Sequence, residues 1–161
     1  MAALAYILVI IYASLQPFGE WRGLSANFGD FLFEPWPRWI TLDDVLFNFA
    51  AYLPLGFLLA LALCARWSAQ AAVALATVAC VVLSFTLEAA QQYLPSRIAS
   101  NVDLLVNGCG GAGGALIALL FSPGQRLGQT AAQLRQRWFV SGARGDAALI
   151  LAGLWLITQL H

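Results

Sequence analysis

Lysine is absent from this chain of 161 residues, and the charge that is present is sparse. Eight arginines face eight carboxylates, charged residues make up 10% of the sequence, and the formal net charge is zero. A chain so balanced has no basic face for nucleic-acid phosphates, so nucleic acid is not among its expected partners. Histidine occurs once, as His161, which leaves no histidine pair for a metal and no Ser-His-Asp set. The three cysteines, Cys64, Cys80 and Cys109, are odd in number, lie in apolar runs and lack metal spacing; they read as small packing residues. No Gly-rich phosphate loop is visible. Ser84, one turn before Glu88, reads as a donor to a backbone carbonyl of its own helix rather than as a nucleophile. What is abundant is apolar: 61% of the residues are hydrophobic, which excludes the soluble globular class and predicts an integral membrane protein of one domain.

A membrane-spanning helix needs about 20 mostly apolar residues. Five segments qualify: roughly 2–18, 43–65, 69–93, 102–121 and 145–160. The fold expected is therefore all-α, a polytopic transmembrane helix bundle of four to five spans. The first segment has no positively charged start and a poor cleavage site at Ala13-Ser14-Leu15, so it reads as a retained span rather than a secretory signal. With the N-terminus cytoplasmic, the inner segments hold Arg66, Arg126, Arg135, Arg137 and Arg144, and the outer ones only Arg22, Arg38 and Arg97. The excess of arginine inside favours that orientation. Residues 19–42 gather Phe28, Phe31, Phe33, Trp36 and Trp39 around Pro35 and Pro37, and are expected to lie as a loop along the outer interface, over whatever is beneath. Residues 124–143 set Leu127, Ala131, Leu134 and Trp138 on one helical face. They read as an amphipathic helix on the cytoplasmic surface, where arginine meets anionic lipid.

Polar residues inside the apolar segments are few and placed alike. A charge at a helix centre costs about 2.5–3.5 kcal/mol on insertion scales, so such residues face a bundle interior or an aqueous cavity. Asp44 and Asn48 open the second segment, Glu88, Gln91 and Gln92 close the third before Pro95, and Asp103 and Asn107 open the fourth. Arg97 sits in the connection. Alternating helix directions bring all of these ends to one leaflet, whichever side is cytoplasmic. Asp44-x3-Asn48 and Asp103-x3-Asn107 form a small internal echo, which predicts that the second and fourth helices present equivalent faces. Gly108, Gly110, Gly111, Gly113 and Gly114 leave one side of the fourth helix bare, a pattern that lets helix backbones approach, and Pro54 should loosen the second helix.

Together these residues resemble the VanZ-like family, named for a teicoplanin-resistance accessory membrane protein. The first family signature is matched by Asn48, Tyr52, Pro54, Leu55 and Gly56, and the second by Glu88, Gln91, Arg97, Asp103, Asn107, Gly110 and Gly114. The matches fall within residues 43–120 of what is expected to be a single domain. The resemblance implies a multi-pass protein of the bacterial cytoplasmic (inner) membrane, linked to the cell envelope and to low-level glycopeptide resistance. Many members carry a further aspartate three residues after the arginine, where this chain has Ser100. That departure weakens a metal reading.

Three roles are open to such a cluster. In the first, Glu88 and Asp103 are an acid/base pair acting on a lipid-linked envelope molecule or a glycopeptide. Asp44, Asn48, Gln91 and Asn107 then orient the substrate, and Arg97 serves as a forked donor to an anion. The same oxygens suit a divalent cation, Mg²⁺ or Ca²⁺, as cofactor. In the second, the cluster is structural: Arg97 pairs with Glu88 or Asp103 and the amides cross-link helices within a scaffold or partner-binding module. In the third, transport, five spans without a second half leave little room for alternating access.

Overall fold

A computed structural model describes residues 1–19, 21, 23, 28–122, 124–138, 142, 145, 147 and 148. Among them the regular structure is entirely helical: α1 (Ala2–Leu15), a 3-10 turn (Asp30–Phe33), α2 (Leu42–Leu63), α3 (Ala69–Gln91), α4 (Asn101–Leu120) and α5 (Arg126–Trp138). Three helices, α2, α3 and α4, are long and apolar enough to cross a membrane. Their bounds agree with the expected spans to within two residues at each end.

The first expected span forms a shorter helix. α1 has 14 residues, which at about 1.5 Å per residue is roughly 21 Å, against an apolar bilayer core of about 30 Å. Gln16 ends it with extended geometry, φ −63° and ψ 137°, because the residue before a proline avoids the helical region. The expected fifth span lies almost wholly outside the described residues, as do His161, Arg22 and Arg144.

α4 is the central element, and glycine makes it so. A Cβ on Gly56 of α2 would collide with the backbone carbonyl of Gly111, and one on Gly114 with the carbonyl of Leu53. The two helices therefore meet backbone to backbone, which only hydrogen side chains permit. On its other side α4 meets α3, where a Cβ on Gly111 would come within 2.6 Å of the Cys80 Cβ. Away from the polar ends, Ala60, Ala76, Ala115 and Ala118 close the core with no exposure, again by small residues. Under the polar ends, larger side chains from α1, α2 and α3 (Ile10, Tyr52, Leu55 and Leu87) fill the core. The perimeter is the reverse of a soluble protein's: Val78, Leu105 and Leu116 are each more than half exposed. An apolar surface of that kind suits lipid rather than water.

α2 runs unbroken through Pro54. In the turn the proline loosens, the Ala51 carbonyl accepts a hydrogen bond from the Tyr6 hydroxyl at 3.0 Å, which fastens α1 to α2. The segment after α1 is fastened too. Phe31 is buried, with its ring 5.7 Å from that of Phe85 on α3, and Asn101 Nδ2 donates to the Glu34 carbonyl at 2.8 Å. α5 has apolar Leu127 and Leu134 half exposed, and its last turn carries Arg135 and Arg137. Of the cysteines, Cys80 is buried and Cys64 partly so, whereas Cys109 faces outward.

Candidate functional site

The starts of α2 and α4 are built alike. Thr41 caps α2, its hydroxyl oxygen accepting from the Asp44 N–H at 3.1 Å and its O–H donating to Asp44 Oδ2 at 2.6 Å. Ser100 caps α4, its oxygen accepting from the Asp103 N–H at 3.3 Å. Both aspartates therefore lie in a first helical turn, where a carboxylate is favoured by the positive end of the helix dipole. One turn later come Asn48 and Asn107. The echo thus extends to Ser/Thr-x2-Asp-x3-Asn in both helices, and the two faces converge on one pocket rather than pointing apart. A cap signature at Ser100-x2-Asp103 was readable in the sequence, yet Ser100 had stood only as an aspartate that is missing.

Ser100 also reaches α3. Its backbone N–H donates to Glu88 Oε2 at 2.8 Å, so the helix start is pinned to a carboxylate that is only 4% exposed. Among the described residues Glu88 accepts no other hydrogen bond, which leaves Oε1 unpartnered. Asn107, 3% exposed, donates through Nδ2 to Ser84 Oγ at 2.9 Å, and its Oδ1 has no hydrogen-bond partner. The Tyr52 hydroxyl lies against the same Ser84 side chain. Ser84 is thus a buried junction between α2, α3 and α4. Beyond the expected role as a donor to its own backbone, Ser84 acts across helices as an acceptor from Asn107. Position alone could have flagged it, four residues before Glu88 on the same face.

Arg97 departs from the pairing with Glu88 or Asp103 that a structural role had suggested. Its Nη2 donates to the Ala13 carbonyl at 3.0 Å and to the Gln16 carbonyl at 3.2 Å, and its Nε to Gln16 at 3.3 Å. Gln91 Nε2 donates to the Ser14 carbonyl at 3.0 Å. Both side chains thus serve the end of α1, whose last carbonyls lack helical partners and favour a cation nearby. Three converging helices were expected; the site has a fourth wall.

These groups surround one pocket of about 760 Å³. Seven of the eight polar residues singled out line it, Asp44, Asn48, Glu88, Gln91, Arg97, Asp103 and Asn107; Gln92 does not. Glu88 and Asp103 feel one another's charge, as do Asp103 and Asp44. The rim is apolar and open, with Trp39, Ile98 and Phe47 strongly exposed. Among the described residues no three Asp, Glu, Cys or His side chains gather closely enough to hold a metal ion. What the arrangement offers chemically is a set of carboxylate and amide oxygens free to accept, beside an apolar edge.

Comparison with known proteins gives one result. The family model described as VanZ/LLP1 matches residues 3–122, from α1 to the end of α4. Neither a curated protein nor a solved structure matches the chain.

Proposed function

The chain belongs to the VanZ/LLP1 family, and from that premise we propose that it is a bacterial inner-membrane protein whose pocket takes the headgroup of a lipid-linked or otherwise amphiphilic envelope molecule. One observation carries this reading. The pocket combines a floor of unpartnered oxygens, on Glu88 and Asn107, with an exposed apolar rim at Trp39, Phe47 and Ile98. A buried polar group without a partner is costly, and a ligand polar at one end and apolar at the other relieves the floor while covering the rim.

In this reading Glu88 is the acid/base group. Ser100 holds one carboxylate oxygen still and leaves the other to face the ligand. Asp103 is the second carboxylate, Asp44 stands on the matching turn of α2, and Asn48 and Asn107 orient the headgroup. Gln91 and Arg97 act as positioning residues, since their side chains donate to the carbonyls that end α1. The N-terminus faces the cytoplasm and the pocket opens to the outer leaflet, where arginine is scarcer. The envelope role is a contribution to glycopeptide tolerance, with teicoplanin as the indicator.

Glu88→Gln and Asp103→Asn, made separately in a strain whose teicoplanin tolerance depends on this protein, test the reading. Loss of tolerance at unchanged protein level in the membrane is expected; unchanged tolerance in both variants overturns it. The bonds of Arg97 and Gln91 to α1 favour a second reading, a structural or partner-binding module without catalysis. Under that reading the same substitutions lower the yield of folded protein.

A further inference from the structure

The charges around the pocket do not balance. Asp44, Glu88 and Asp103 bring three carboxylates within electrostatic reach of one another, in sequence along the wall. At this end of the bundle the positive ends of α2 and α4 are opposed by the negative ends of α1 and α3, so the helix dipoles return little net charge, and the Arg97 guanidinium offsets about one carboxylate of the three. Arg97 is turned aside, its Nε and Nη2 held by the carbonyls that end α1. The forked donor face that would clamp a phosphate is therefore in use. Buried beside these carboxylates, Asn107 Oδ1 is a further acceptor without a donor. The imbalance has one sign: the pocket holds more carboxylates than cations, and its buried amide oxygen lacks a donor.

Resting on the amphiphile-binding reading above, the geometry points to a headgroup that carries a primary ammonium, seated between Asp44, Asp103 and Glu88 with Asn107 Oδ1 as an additional acceptor. A primary ammonium has three N–H donors and a full charge, and so meets both deficits at once. A metal ion does not fit as well: among the described residues no three carboxylates stand close enough to coordinate one, whereas an ammonium can bond one or two of them in the field of the third. A phosphate meets three carboxylates against a single lining cation, Arg97, whose Nε–Nη2 edge is already taken. Trp39 on the rim adds an aromatic face, which favours a cation over an anion. The ammonium can belong to a phospholipid headgroup or to an amine on a sugar or peptide; the chemistry recognised is the same.

The full-length protein, purified in neutral detergent, distinguishes these cases by native mass spectrometry and thermal shift. The probes are dihexanoyl phosphatidylethanolamine, phosphatidylcholine and phosphatidylglycerol, with n-hexylamine as competitor. Phosphatidylethanolamine is expected to bind about tenfold or more tighter than the other two lipids, since only its ammonium donates charge-assisted hydrogen bonds. n-Hexylamine is expected to displace it. Binding of n-hexylamine when none of the three lipids binds supports the ammonium and assigns it to a sugar or peptide source. Asp44→Asn and Asp103→Asn, each checked for unaltered thermal stability without ligand, are expected to reduce the preference. Phosphatidylglycerol bound as tightly as phosphatidylethanolamine, or a preference unchanged in both variants, overturns the inference and leaves amphiphile binding standing. Failure of every probe overturns both.

Discussion

Removing the Ser84 hydroxyl tests the junction beneath the pocket. In Ser84→Ala the Asn107 amide loses the acceptor of its Nδ2–H, now at 2.9 Å, while its Oδ1 is already unpartnered. An entire amide is then left without a protein partner at a position only 3% exposed. Orphaning a buried donor costs about 1–3 kcal/mol in soluble proteins. Within membranes, interhelical hydrogen bonds average about 0.6 and reach about 1.7 kcal/mol, because the unfolded helices also find partners. The complete loss of partners argues for the upper part of that range, about 1.5 kcal/mol, or roughly tenfold in the ratio of folded to unfolded protein. Asn107→Ala removes donor and orphan acceptor together, and the Ser84 hydroxyl then falls back on the carbonyl one turn earlier in α3. The double variant should therefore lose little more than Asn107→Ala alone, for a coupling of about 1 kcal/mol. Reversible unfolding in mixed micelles, followed by circular dichroism for the wild type and three variants, measures the cycle. A coupling indistinguishable from zero would refute the assignment of Ser84 as the partner of Asn107.

Gly114→Ala should separate α2 from α4 and destabilise by about 1–3 kcal/mol, the usual cost of overpacking. Gly113→Ala, whose new Cβ would meet only Phe49 Cζ at 3.5 Å, should be neutral or slightly stabilising; the same unfolding assay compares them. Arg97→Lys keeps the charge but not the fork, so it should fail to hold the Ala13 and Gln16 carbonyls. Faster thiol labelling of a Ser14→Cys reporter in that background checks this, and unaltered labelling would sink the anchoring role. Cysteine substitutions at Trp39 and Ile98 should react with impermeant reagents from outside the cell, and those at Leu127 and Leu134 only after permeabilisation. The opposite pattern would invert the proposed orientation.

Much of the bundle was legible because hydrophobic runs and caps are local. Ser68, Thr41 and Ser100 mark helix starts, and α2, α3 and α4 begin within a residue or two of where composition places them. Convergence of the polar ends was legible too, since it follows from alternating helix direction alone. Partner choice was not. Arg97 reaches carbonyls more than eighty residues earlier in the chain, and no spacing rule connects them. The interhelical partners of Ser84 and Ser100 were not legible either, because a serine in or before a helix is usually occupied with its own backbone. The length of α1 was overestimated because its apolar composition continues to the proline that ends it.

The bonds that fasten α1 also bear on the order in which the molecule can be assembled. α1 is made well before the groups that hold its end, Gln91 on α3 and Arg97 in the turn after it. Too short to cross the bilayer core unaided, it has no firm seat until α3 has returned across the membrane and the following turn has closed over it. The pocket therefore has no complete wall in any partly inserted state. Polar oxygens that would trap stray ligands or lipids during synthesis come together only when α4 is in place.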